Sequence, residues 1–157
     1  MIRAAYPAIK AVRPEAEVIV GALAEPYWQN TLNSYWFDAF LNTDFATSCD
    51  AVSIHHYNGF MPPENWHDQL FYVIKKIRAK APMHKVYVTE CGWYNGTDIG
   101  NISEAESAAR YSRWPFLLRC LDLVGAMFYE LANGGTDNLK ESSFGFFTKN
   151  YAAQKAQ

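Results

Sequence analysis

Residues 85 to 96 read KVYVTECGWYNG. Val86, Tyr87 and Val88 suit a pleated, buried strand, and Glu90 stands at its C-terminal tip, followed at once by Cys91, Gly92, Trp93, Tyr94, Asn95 and Gly96. A carboxylate placed there is either a solvated strand end or a reactive group held rigidly by its strand. In the second case a neighbouring Tyr or His could keep it ionised by hydrogen bonding. Three further strand ends carry polar or aromatic groups: Glu25 after EVIVGALA, His55, His56 and Tyr57 closing DAVSIHHY, and Tyr129 and Glu130 in VGAMFYEL. Trp93 and Tyr57 have rings that could stack on the apolar face of a sugar, or simply pack in the core. His55 suits hydrogen bonding to a substrate or to Glu90. His55 and His56 make a poor metal pair, because adjacent strand residues point to opposite faces, so no metal is expected.

The elements that must position these groups alternate regularly. Ile2, Ala5, Tyr6, Ile9 and Val12 form an apolar stripe at helical spacing, ended by Pro14. Strands are expected over 17–24, 50–57, 85–90 and 124–131. Helices are expected over 32–46, over 65–80, and from Ser103 to about Leu121. Ser103 and Glu106 in SEAE can form a capping box, and Pro115 predicts a kink or break. Four strand-then-helix units imply right-handed crossovers and a parallel sheet, covered on both faces. The glycine-rich turn of a dinucleotide fold is missing. Functional groups at the C-terminal ends of several strands are the habit of a (β/α)8 barrel, but a whole barrel takes ~250 residues.

Composition fixes the class more than the function. The 157 residues are 50% hydrophobic and 16% aromatic, which argues against disorder and fits one domain over 1–157. A net charge of −2, with acids and bases interspersed, gives no basic stripe for nucleic acid. Cys49, Cys91 and Cys120 have neither metal-ligand spacing nor a disulfide pattern, and read as small buried hydrophobes. The first residues do not read as a signal peptide, and no apolar run reaches membrane-spanning length. The expectation is a soluble chain with no cofactor and no membrane partner.

Four segments carry a resemblance to a known group. YPAIKAVRPEAEVIVGALA, CDAVSIHHY, KVYVTECGWYNG and GAMFYELANGGTDN…FGFF come in the order of the last four strands of a clan A glycoside hydrolase barrel. The chain most resembles glycoside hydrolase family 39 and its relatives, which include β-xylosidases. The resemblance covers nearly the whole chain and is most specific at the third segment. It implies half of a (β/α)8 barrel, strands five to eight preceded by one helix, and retaining β-glycosidase chemistry. The implied nucleophile falls on Glu90, and the implied strand-six His and Tyr fall on His55 and Tyr57. Phe128 stands where the family's strand-eight motif usually carries Trp. The family's general acid/base Glu, after an Asn at the end of strand four, would lie before Met1, so the resemblance implies a chain with weak or no activity alone.

Glycoside hydrolysis needs two carboxyl groups, and Glu25 in AEP is the one local candidate for the second. However, the helix and strand around it match strand five rather than strand four. Tyr129, Asn133 and Asp137 could line a sugar site. The expected partners are an oligosaccharide or β-glycoside substrate, and a homodimer mate or a separate N-terminal half that completes the barrel. Open strand edges and uncovered inward side chains, read as Val86, Val88, Ala126 and Phe128, argue for such an assembly. The alternatives are a non-catalytic carbohydrate-binding module or an α/β interaction module.

Overall fold

The computed structural model describes residues 1–26, 32–57, 61–95, 102–132, 134 and 144–146. Helix α1 (Ile2–Val12) leads into strand β1 (Ile19–Ala24). Then follow α2 (Leu32–Leu41), β2 (Ala51–His56), α3 (Pro63–Lys80), β3 (Lys85–Cys91), α4 (Glu104–Cys120) and β4 (Gly125–Phe128). The strands form one parallel sheet in the order β1-β2-β3-β4. Each strand is linked to its neighbour through a helix, as the alternating pattern requires. Among the described residues no helix is long and apolar enough to cross a membrane.

The helix-facing side of the sheet is the core. Val52, Ile54, His56, Val86, Val88 and Cys91 are fully buried there, together with Leu70, Val73 and Ile77 of α3 and Trp114 of α4. This corrects the expected facing of β3 and β4. Val86 and Val88 point to the helices, and Ala126 and Phe128 pack against the same cluster. Alternate residues take opposite faces, so the concave side of β3 carries Lys85 and Tyr87 instead. An unbroken apolar run does not reveal which parity faces which layer; packing against α3 and α4 decides it. The concave face is therefore more polar than expected: Glu17 receives the Tyr87 hydroxyl at 2.9 Å and pairs with Lys85 at 2.9 Å.

Among the described residues the two outer strands, β1 and β4, pair with no further strand. On and beside β4, Val124 is 50% and Met127 60% exposed, and Phe116 on the adjacent α4 is 74% exposed. At the other edge, Ile19 of β1 and Trp36 of α2 are exposed. Helix α1 buries no residue fully and is tied down by polar contacts. Tyr6 donates to Asp50 at 2.8 Å, Lys10 pairs with Asp50 at 2.8 Å, and the Val18 amide donates to the same carboxylate at 2.8 Å. These bonds hold the Asp50 carboxyl down at about 2, the Lys10 contact being the largest cause.

Local sequence explains most element ends. Ser103 caps α4 by accepting from the Glu106 amide at 3.1 Å. The Glu106 carboxylate turns to Arg110, so the other half of the expected capping box is replaced by an ion pair. Helix α4 runs unbroken across Pro115. Strand β1 bulges between Val20 and Leu23. Gly21 lies there at φ +128°, where a Cβ would sit 2.4 Å from the Ser53 carbonyl oxygen, and the Ala22 amide is held by the Ser53 hydroxyl at 2.9 Å. Cys49 and Cys91 are buried as expected, whereas Cys120, in the last turn of α4, is exposed. A side chain at a helix end can face solvent whatever its type, so the expectation of burial fails for Cys120.

Candidate active site

The register sets Ala24, His55 and Glu90 side by side across three neighbouring strands. Glu90 sits one residue from the end of β3, half-buried, with its carboxylate at the C-terminal end of the sheet. Oε2 receives the Tyr57 hydroxyl at 3.0 Å and lies 3.2 Å from His55 Nδ1. Among the described residues Oε1 accepts no hydrogen bond. One carboxylate oxygen is thus fixed by two groups from the end of β2, while the other is left for a reacting atom. Register shifts between Ile54 and His55, and between Val88 and Cys91, re-aim the strand tips where these side chains converge.

Burial and the bond to Glu90 both push the Tyr57 phenol well above the ordinary tyrosine range, burial being the larger cause. Tyr57 is therefore a neutral O–H donor at any working pH. His56, one residue before it, turns the other way. Its ring is fully buried, edge-on to Trp66 at 4.5 Å and stacked with Trp114 at 6.0 Å, and burial lowers its pKa to about 3. The two histidines take opposite faces, as strand alternation requires. No group of three or more possible metal ligands occurs among the described residues.

Cys91 follows Glu90 but faces the core. Trp114 Nε1 donates to its sulfur at 3.2 Å, and burial pushes its thiol up to about 12, so it stays protonated and unreactive.

Trp93 is 1% exposed. Its ring lies on Trp66, with centroids 4.2 Å apart and planes 14° apart, and meets Tyr111 and Trp114 edge-on. This places Trp93 in the core rather than on an open sugar-stacking surface. The strand turns inward after Gly92, which has no room for a side chain. A Cβ there would meet the Tyr129 carbonyl at 2.4 Å and the Tyr111 hydroxyl at 3.0 Å.

Tyr129 follows β4. Its amide donates to Cys91 O at 2.8 Å, its ring meets Phe144 at 5.7 Å, and its side of the site adjoins Tyr57, whose ring also meets Phe144. Glu25 caps β1 at φ +44°, with its amide bonded to His55 O at 3.0 Å. Its backbone stands two strand spacings from that of Glu90, ~10 Å by ordinary sheet geometry. Asn133 and Asp137 lie outside the described residues.

Two residues of the site region had no signal in the sequence. Arg110, 5% exposed, donates to Met61 O at 2.9 Å, an acceptor it shares with Trp93 Nε1 at 2.9 Å. Tyr111 accepts from the Trp93 amide at 3.1 Å. In sequence, Glu106 and Arg110 look like an ordinary exposed i,i+4 pair.

No protein-family model and no curated protein sequence matches the chain. Solved structures do. A family 39 glycoside hydrolase from the gut symbiont Bacteroides cellulosilyticus WH2 matches at 23% identity and a TM-score of 0.70, over 98% of this chain and 34% of its own. A glucosidase from Croceicoccus marinus matches at 17% identity and 0.71, over 95% and 31%. A thermostable mutant of a xylanase from Cellvibrio japonicus matches at 15% identity and 0.67, over 98% and 51%. The chain therefore spans about a third to a half of the length of these proteins. At such identities the likeness is one of fold: four parallel strands with their helices, half of a (β/α)8 barrel.

Proposed function

We propose that the chain is the C-terminal half of a retaining β-glycosidase barrel, with β1 to β4 standing as strands five to eight and Glu90 as the nucleophile. The observation that carries this reading is the Glu90 carboxylate at the C-terminal end of a barrel strand, with Oε2 engaged by Tyr57 and His55. Barrel enzymes work from that face. In this reading Oε1 attacks the anomeric carbon while the bond to the leaving oxygen breaks. A second carboxylic acid, ~5 Å away in retaining enzymes, gives its proton to that oxygen. The same residue then takes a proton from water, which attacks the sugar and releases the Glu90 carboxylate. Tyr57 and His55 keep the nucleophile aimed throughout.

The second carboxyl comes, in this reading, from the other half-barrel. Glu25 is the local alternative. Tyr129 and Asn133 are the proposed substrate contacts. The other half is a further segment or chain that supplies strands one to four, or a second copy of this chain, which closes eight strands about a two-fold axis. The exposed apolar groups at both sheet edges support such a closure. The chain by itself then turns over natural glycosides weakly or not at all.

The experiment is hydrolysis of an aryl β-glycoside by the closed assembly carrying Glu90→Gln. Loss of at least a hundredfold in kcat is expected, and unchanged activity contradicts the assignment. The same assay with Glu25→Gln separates the two sources of acid.

A further inference from the structure

We infer that Arg110 and Tyr111, neighbours on α4, are positioning residues for the Glu90 carboxylate, because together they tie Met61, just before α3, to Trp93, just after β3. The inference rests on the reading of Glu90 as the working carboxylate. Its physical content, a coupling between Arg110 and the Tyr57–Glu90 bond, can be measured without catalysis.

The geometry starts at the Met61 carbonyl, which lies in the β2–α3 connection, four residues after Tyr57. Two N–H groups converge on it at 2.9 Å each: Arg110 Nη1 from α4 and Trp93 Nε1 from the β3–α4 loop. A carbonyl oxygen has two lone pairs, so both are engaged. Tyr111 then grips the Trp93 backbone directly. Its hydroxyl accepts from the Trp93 amide at 3.1 Å and reaches the Trp93 carbonyl at 3.5 Å. Trp93 is three residues beyond Glu90, and the intervening Gly92 is pressed between the Tyr129 carbonyl and the Tyr111 hydroxyl.

A guanidinium buried to 5% exposure is costly unless its N–H groups are satisfied. Arg110 meets that need through Glu106, one turn back on the same helix, and through Met61. Helix packing alone does not call for a charge at this position. A charge that spends one donor on Met61, while its neighbour holds Trp93, does the specific work of fixing those two residues relative to each other. Tyr57 stands four positions before Met61 and Glu90 three before Trp93, and the inference is that their 3.0 Å hydrogen bond is coupled to that relation.

The test is a double-mutant cycle on the full chain, read as folding equilibrium constants from urea titration. Tyr57→Phe is expected to lower the constant about tenfold in the native background. In an Arg110→Met background it should lower it less than threefold, because the bond it removes is already loosened. Tyr6→Phe, at the opposite end of the strands, should cost the same in both backgrounds. The Trp93 indole N–H supplies a spectroscopic readout: its NMR signal should shift and exchange faster in Arg110→Met, and Arg110→Lys should restore part of the protection. If Arg110→Met does not fold, Tyr111→Phe carries the same cycle. Additivity of Tyr57→Phe with the clamp variant overturns the inference, whatever Glu90→Gln does to hydrolysis. Coupling with Tyr57 but not with Tyr6 supports it, even if Glu90 proves not to be the nucleophile.

Discussion

The Tyr57 hydroxyl and the Glu90 carboxylate meet at 3.0 Å across the C-terminal ends of β2 and β3, with His55 on the same oxygen at 3.2 Å. Thirty-three positions apart in sequence, the two are brought together by the parallel register that sets His55 beside Glu90. The bond fixes which carboxylate oxygen is restrained.

Removing that bond should cost activity as well as folding. A hydrogen bond to a charged group is worth ~1.5–3 kcal/mol when buried, and less in this half-buried setting. Tyr57→Phe in the closed assembly should lower kcat/KM for an aryl β-glycoside about tenfold, with the loss mainly in kcat. Steady-state kinetics checks this, and an effect confined to KM would assign Tyr57 to substrate binding instead.

Gly92→Ala should be far more damaging than its size suggests. The new methyl would lie 2.4 Å from the Tyr129 carbonyl oxygen, a backbone atom that cannot rotate away. Overpacking of this kind costs typically 1–3 kcal/mol, and a backbone clash belongs at the upper end. The urea midpoint should fall accordingly, and Gly125→Ala, where nothing lies within 4 Å, is the control.

Stability should decline as pH falls below about 6.5, and His56 is the cause. Its folded pKa is lowered to about 3 by burial, against an ordinary value of 6.5. Between those values the unfolded chain binds a proton that the folded chain excludes. The contribution is therefore intact above 6.5 and is lost progressively on the way down to 3, at up to ~1.4 kcal/mol per pH unit. Urea titrations at pH 7 and pH 5 should show this slope for the native chain and a reduced slope for His56→Gln. Equal slopes would place the linkage elsewhere.

The open edges should drive assembly. Val124, Met127 and Phe116 form an exposed apolar margin along β4 and α4, and an unpaired strand edge invites pairing. At micromolar concentration light scattering should report more than one chain per particle, and Val124→Lys with Phe116→Glu should lower that mass. A single-chain mass with cooperative unfolding and no binding of apolar dyes would contradict the proposed closure.

Much of the frame was legible in the sequence because apolar runs and capping residues act locally. The four strands, their alternation with helices and the Ser103 cap follow from such signals, whereas the pairing of Glu90 with a nearby Tyr or His is one of several arrangements that the sequence leaves open. The parts that were not legible depend on three-dimensional contacts. Val86 and Val88 look the same whichever face they take, and only packing against α3 and α4 decides it. Trp93 is a plausible stacking ring in a loop until Trp66 and Trp114, from two other elements, cover it. Arg110 matters through a carbonyl forty-nine positions away, which no local pattern encodes.

The most direct test of Glu90 as nucleophile is azide rescue of Glu90→Gly in the closed assembly, with an activated aryl β-glycoside and NMR of the product. The small side chain leaves room for azide on the face where the carboxylate would attack. Little activity is expected without azide, and an α-glycosyl azide with it, inverted relative to the substrate. A β-glycosyl azide would assign Glu90 to the acid/base role, and full hydrolysis without azide would remove it from the chemistry altogether.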